Sequence, residues 1–320
     1  MSIVVAGGTG LAGSAIVKEL TQKGNEVISV NSKTVDLTKR DATFEFIQDL
    51  KPTCIIDAAA KAGGIVANND FPVDFLSLNL QIQTNLMDAA HQAKVEKFIF
   101  LGSSCIYPRL APQPMKEEAL LTGPLEKTNS AYAIAKIAGI ELIKSYRRQF
   151  GHKWISVMPT NLYGPNDNFD LTSSHVLPAM IRKFLEAVEQ NKKVTLWGSG
   201  NPKREFLHSA DLAKAIDFLL ERYDADDHIN VGTGEEITIK DLASLIADLT
   251  GYTNEIIWDQ SKPDGTPRKV MDESRIRSLG WEPTISLREG IASTLKWYRE
   301  DRKSTRLNSS HIPLSRMPSS

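Results

Sequence analysis

The chain has 320 residues and a net charge of −1 from 38 basic and 39 acidic side chains, enough length for a large core and no basic stripe for nucleic acid. Its two cysteines, Cys54 and Cys105, make neither a disulfide framework nor a four-ligand zinc site. No apolar stretch approaches the ~18 residues that span a bilayer and no apolar leader opens the chain, so a cytoplasmic globular protein without metal, membrane or nucleic-acid partners is expected.

β-Branched runs at 3–6, 26–30, 53–57, 97–101 and 154–158 predict strands, and helical periodicity at 11–23, 75–93 and 131–150 predicts helices between them. This alternation predicts an α/β fold, a Rossmann-type doubly wound parallel sheet. After position 160 the rhythm changes. Helices are expected at 176–191, 209–223, 239–250 and 287–299, short strands near 194–197 and 255–258, with loops such as WGSGNP and KPDGTPRK between them. A smaller C-terminal α/β substrate lobe follows. The expected division is 1–160 with parts of 200–235 for the cofactor and 161–300 mainly for the substrate. At 301 the helical pattern and its apolar face are expected to stop. DRKSTRLNSSH resembles a translated sequencing adapter and SRMPSS its continuation, so 301–320 is expected to be an artefactual tail.

The first predicted strand ends in Gly7-Gly8-Thr9-Gly10-Leu11-Ala12-Gly13. Glycines at 7, 10 and 13 permit a tight turn, close approach to a pyrophosphate and close helix–strand packing. The helix that follows aims its N-terminal N–H groups at the phosphates. A glycine pattern becomes a specific signal only in this strand–loop–helix setting. The second strand ends Asn31-Ser32-Lys33 with no carboxylate before Asp36. Lys33 and the Ser32 hydroxyl favour NADP over NAD, a plain solvated lysine being the other reading.

Residues 102–108 read GSSCIYP. Cys105 there is either core filler or a group that handles protons, whereas Cys54, inside an apolar run, reads as core. Downstream, Tyr132 and Lys136 stand four apart on a predicted helix and share one face. An ammonium beside the phenol is expected to lower the tyrosine pKa toward a value useful for proton transfer. Ser103, at a strand end, is placed to donate to a substrate carbonyl. If the backbone stays extended, Ser103 and Cys105 project to one side.

The glycine loop, the strand-end serine and the Tyr-x-x-x-Lys helix together resemble the extended short-chain dehydrogenase/reductase family, over residues 1–300. AAAKAGGIVANN (58–69), FLGSSCIYP (100–108), YAIAKIAGI (132–140), VMPTNLYGPNDNF (157–169), SHVLPAM (174–180), WGSGNPKREFLH (197–208), INVGTG (229–234) and SKPDGTPRK (261–269) are similar to the members that epimerise GDP-4-keto-6-deoxy-D-mannose at C3 and C5 and reduce it at C4 with NADPH. The resemblance implies that Tyr132 protonates the C4 oxygen, Lys136 tunes it and holds the nicotinamide ribose, and Ser103 orients the ketone. It places the epimerisation pair on Cys105 and His175. It adds Leu101, Gly102, Ser104, Pro159, Thr160, Asn161, Leu162 and His175 to the cofactor contacts. It also implies a homodimer through the helices at 75–93 and 131–150.

Well-known bacterial members carry arginine where this chain has Thr9 and another near Ser32, so Lys33 is expected to compensate in holding the 2′-phosphate. Lys183 stands where an arginine commonly meets the diphosphate. His175, read alone, is more often structural, but its SHVLPA context favours a place in the site. Arg204 and Lys183 are diphosphate partners under the GDP reading. Trp197 either stacks on a ring or caps the small lobe. Asp264 and Lys269 either close over the nucleotide or form a plain turn. A nucleotide-sugar dehydratase would carry an Asp-Glu pair where Ser104-Cys105 stands, and a non-catalytic sensor would lack Tyr132 or Lys136; both rivals are disfavoured.

Overall fold

In the computed structural model, which describes residues 1–262 and 264–310 with side chains as far as Arg302, the chain runs β1 (Ser2–Ala6), α1 (Leu11–Gln22), β2 (Glu26–Val30), α2 (Arg40–Leu50), β3 (Cys54–Asp57), α3 (Ile65–Asp70), α4 (Pro72–Gln92), β4 (Lys97–Leu101), α5 (Ser130–Phe150) and β5 (Ile155–Pro159). It continues with β6 (Asn161–Tyr163), α6 (Val176–Gln190), β7 (Val194–Trp197), β8 (Lys203–Arg204), β9 (Phe206–His208), α7 (Ser209–Arg222) and β10 (Ile229–Val231). Last come β11 (Ile237–Thr238), α8 (Ile239–Thr250), β12 (Ile256–Asp259), β13 (Arg268–Lys269), α9 (Ser274–Ser278) and α10 (Leu287–Ser310).

Six strands form one sheet in the order β10-β5-β4-β3-β1-β2, and every pairing in it is parallel. Alternation along the strands divides the core. Val4, Ala6, Ile55, Phe98 and Phe100 pack with α2, α4 and α5 on one face. Ile3, Val5, Cys54, Ile56 and Ile99 pack with α1 and α7 on the other. Cys54 is fully buried, as expected, and burial pushes its thiol up to about 12. The strand order reverses between β1 and β3, which opens the sheet's carboxyl edge at that point.

The third core joins Phe184, Leu196, Leu242, Ile246 and Leu295 around α6, α8 and α10. Three small sheets serve it, β11-β8-β13, β12-β7 and β6-β9. Among the described residues no helix is long and apolar enough to cross a membrane.

Two local expectations are corrected. Helix α2 lies where the sequence reading placed none: only Thr43 and Ile47 of its eleven residues are fully buried, too narrow a stripe for periodicity to register. And the helix at the C-terminus does not stop at 300. Through residue 310 the segment has neither glycine nor proline, so an already packed helix propagates cheaply; Arg302 pairs with Glu189 at 3.1 Å. Residues 311–320 of the expected tail lie outside the described residues.

Candidate active site

The glycine loop sits at the switch point between β1 and β3. Gly7 has φ +73°, a left-handed conformation that costs any side chain. The Gly10 N–H donates to the Gly7 carbonyl at 3.0 Å, and the Gly8 N–H to Val30 at the end of β2 at 2.9 Å. A Cβ on Gly13 would run into that Gly7 carbonyl, while one on Gly10 would meet only a single atom at 3.5 Å. The loop is therefore closed toward the protein and open on its outer side. Helix α1 begins there with Gly10 as its N-cap and no side chain capping its first N–H groups. An open floor without Cβ atoms below uncapped N–H groups fits a dinucleotide pyrophosphate.

Around this floor stand the other expected cofactor residues. Asn31 Oδ1 accepts from the N–H of Lys33 at 2.9 Å and of Thr34 at 3.3 Å, a turn that leaves Ser32 and Lys33 exposed beside the loop. The Gly102 N–H donates to Val157 and the Thr160 N–H to Val231, which fixes the ends of β4 and β5. Asn161 donates to the Glu205 carbonyl at 2.8 Å.

Helix α5 brings Tyr132 and Lys136 to the end of β4. Lys136 is buried and its Nζ donates to the Leu101 carbonyl at 2.8 Å. It stands 4.7 Å from the centre of the Phe100 ring and 5.9 Å from that of Tyr132. The expected lowering of the tyrosine pKa is corrected. Burial pushes the Tyr132 phenol up, and the charges of Cys105 and Asp57 push it further. Burial also lowers Lys136, against the opposing pull of Asp57 and Cys105. The cause is the lysine's seat: its ammonium is spent on a backbone carbonyl, and the phenol is left desolvated.

The stretch GSSCIYP does not stay extended. Residues Ser104–Ile106 close a 3₁₀ turn, and the Ser103 Oγ accepts from the Cys105 N–H at 3.4 Å. The alternation expected for Ser103 and Cys105 therefore fails; the turn, not a strand, sets their relation. Cys105 is buried, and its thiol is raised by desolvation first, against the charge of Lys269, the Ser103 hydroxyl and the charge of Lys136. A cavity of about 40 Å³ is lined by Cys105, Asn129 and Lys269 among others.

His175 is the N-cap residue of α6. The residue as a whole is exposed, yet its imidazole is held below the ordinary value, by desolvation first and then by the charge of Lys269. Lys269 on β13 is thus the cation that acts on both Cys105 and His175, and it also feels Arg204. Lys269 and Arg204 are register partners on neighbouring parallel strands.

The remaining expected substrate contacts lie in the small lobe. Lys183 donates to the Thr195 carbonyl at 3.1 Å. Trp197 is 53 % exposed, with Lys262 5.5 Å from its ring centre. Asp264 accepts from the Ser199 N–H at 2.6 Å and its hydroxyl at 2.8 Å, which ties Asp264 to the WGSG loop at Gly198, φ +77°.

Two buried carboxyls escaped the sequence reading. Asp57 ends β3, fully buried; an acid closing an otherwise apolar strand was the available signal. Glu205, also fully buried, accepts from the N–H groups of Thr233, Gly234 and Met271 at 2.6 to 3.0 Å and so seats the loops beside Lys269. Nothing in its local sequence distinguishes it from a surface glutamate.

Residues 3–232 match the NAD dependent epimerase/dehydratase family. A GDP-L-fucose synthase of Arabidopsis thaliana is 54% identical over 299 residues, covering 92% of each chain. The GDP-L-fucose synthase of Escherichia coli K12 is 49% identical over 310 residues, 93% of this chain and 97% of that one. Among solved structures, a GDP-L-fucose synthetase from Naegleria fowleri bound to NADP superposes with a TM-score of 0.87 at 30% identity, covering 95% of both chains. With its glycine loop, its Tyr132–Lys136 helix and this likeness over nearly its whole length, the chain belongs to the NAD dependent epimerase/dehydratase family.

Proposed function

We propose that the chain converts GDP-4-keto-6-deoxy-D-mannose to GDP-L-fucose, by 3,5-epimerisation and NADPH-dependent 4-reduction. The observation that carries this reading is the convergence of Tyr132, Lys136, Cys105 and Lys269 near the carboxyl end of β4. Identity of about half to GDP-L-fucose synthases from a plant and a bacterium supports the same substrate and cofactor.

The glycine loop from Gly7 to Gly13 would hold the pyrophosphate, Ser32 and Lys33 the 2′-phosphate, and Lys136 the nicotinamide ribose. When bound, NADPH supplies the hydride for C4. Tyr132, held protonated by its buried setting, gives its proton to the C4 oxygen as charge develops there. Ser103 donates to the same oxygen and fixes the ketone. Cys105 and His175 together carry one proton between a thiol and an imidazole. That is the complement needed to take a proton from a carbon beside the ketone and return one to the opposite face. Lys269 weakens the hold of both groups on their protons, since its charge favours thiolate over thiol and neutral imidazole over imidazolium. Lys183 and Arg204 would meet the GDP diphosphate, with Trp197 and the Asp264-pinned loop beside the nucleotide.

Residues 1–160 with parts of 200–235 act as the cofactor domain and 161–300 mainly as the substrate lobe, and 301–320 take no part. A cytoplasmic homodimer through α4 and α5 is part of this reading, supported by exposed Val73, Ile134 and Phe150 on those helices and by two free thiols. The test is direct. The protein is given GDP-4-keto-6-deoxy-D-mannose, NADPH absorbance is followed, and the product is compared with GDP-L-fucose by NMR. NADPH oxidation yielding that sugar is expected; no oxidation with this substrate sinks the reading.

A further inference from the structure

One buried ionisable group on the central sheet has no part in the chemistry above. Asp57 is fully buried at the end of β3. Its Oδ1 accepts from the Ala59 N–H at 3.1 Å, and its Oδ2 has no hydrogen-bond partner. A desolvated carboxylate with a bare oxygen is unfavourable unless an opposite charge faces it.

The strand register says which charge that is. Asp57 pairs with Phe100 across β3 and β4, and register partners in a parallel ladder project to the same face. That face is the one under α5, because Ile55, two residues earlier, packs there with Phe98 and Phe100. The Lys136 ammonium rests on the Phe100 ring and donates to the carbonyl of the next residue, Leu101. Carboxyl and ammonium therefore sit at adjoining strand ends beneath one helix. The groups facing them are few. Lys136 is the charge that acts on Asp57. Asp57 from β3 and Cys105 from the 3₁₀ turn act on Lys136. Tyr132 stands on the same helix, and Lys269 lies beyond Cys105.

We propose that Asp57 is a positioning residue, the counter-ion that keeps the Lys136 ammonium charged in its buried seat. Its significance for turnover rests on the reading of Tyr132 and Lys136 given above; the charge relation itself does not. Burial raises Asp57 to about 6, so above that pH it is ionised. That is the range in which a desolvated lysine would otherwise lose its proton.

The experiment titrates Lys136 in the cofactor-free protein. Lysine labelled with ¹³C at Cε is followed by NMR against pH, the Lys136 signal being assigned with Lys136→Arg. In Asp57→Asn and Asp57→Leu the midpoint should fall by about one pH unit or more, a tenfold change in proton affinity. An unchanged or higher midpoint overturns the proposal. The unmodified protein supplies a second measurement that needs no variant to fold. Aspartate labelled at Cγ should show two carboxyls titrating above the usual range, Asp57 near 6 and the buried Asp167 near 7, and the Lys136 signal should inflect with the first. A Lys136 signal without that inflection overturns the proposal as well. In parallel, the alkaline limb of NADPH oxidation should move down in Asp57→Asn with the NMR midpoint. If the midpoint falls while that limb stays in place, the counter-ion stands and the role given to Lys136 in turnover fails.

Discussion

Lys136 donates its ammonium to the Leu101 carbonyl at 2.8 Å, while the ring of Tyr132, one helical turn away, lies 5.9 Å from it. The lysine is thus anchored to the end of the strand that leads into Ser103, and the phenol beside it is desolvated and protonated rather than poised as phenolate. That protonation state suits an acid. In Tyr132→Phe, C4 reduction should fall by about 10²–10⁴-fold. Exchange of solvent deuterium into C3 and C5, read by NMR of recovered substrate, should persist. In Cys105→Ser the exchange should be lost while NADPH still binds. Exchange and turnover both unchanged in Cys105→Ser would remove Cys105 from the mechanism.

The glycine loop yields a binding prediction. Gly13→Ala places a methyl group against the Gly7 carbonyl, forcing α1 away from β1. Overpacking of this kind costs about 1–3 kcal/mol. NADPH affinity, followed by quenching of tryptophan fluorescence, should weaken at least ~10-fold. Binding at wild-type strength would place the dinucleotide elsewhere.

Lys269 should set the pH range of epimerisation if Cys105 and His175 carry it. Its charge lowers both Cys105 and His175, so in Lys269→Gln both groups should titrate at higher pH. The acid limb, where His175 takes up a proton, and the alkaline limb, where Cys105 loses one, should both move upward. Deuterium exchange measured across pH would show the whole profile translated. A profile that drops in height without moving would make Lys269 a substrate contact alone.

A carboxyl pair below the Gly232–Gly234 loop couples stability to pH. Glu273 is raised to about 8, by burial first and then by Glu205 beside it. A carboxyl whose folded pKa exceeds its unfolded value contributes most at low pH, and that contribution is lost as pH rises through the folded value. Thermal unfolding should therefore show stability falling by about 1–3 kcal/mol between roughly pH 5 and pH 9. Glu273→Gln, with nothing to ionise, should flatten that dependence. An equal slope in the variant would assign the effect to other groups.

Much of this was legible along the chain, because it is written in local chemistry. Five strands of the central sheet and the helices α1, α4 and α5 announce themselves by period, and the glycine loop and Tyr132–Lys136 by spacing within that strand–helix setting. Local order cannot carry long-range meetings. Asp57 and Lys136 are 79 positions apart in number and become neighbours only because β3 lies beside β4 with α5 above them. The Ser103–Cys105 relation turned on whether the backbone stayed extended, and a 3₁₀ turn answered it against the expected alternation. The direction of the Tyr132 shift depended on desolvation, which spacing does not encode. Residue types and their periods decided which groups this protein brings to its sheet edge. Only the packed structure decided which of them are dry, which face a charge and which hold their protons, because burial and Coulomb interaction depend on distance through space.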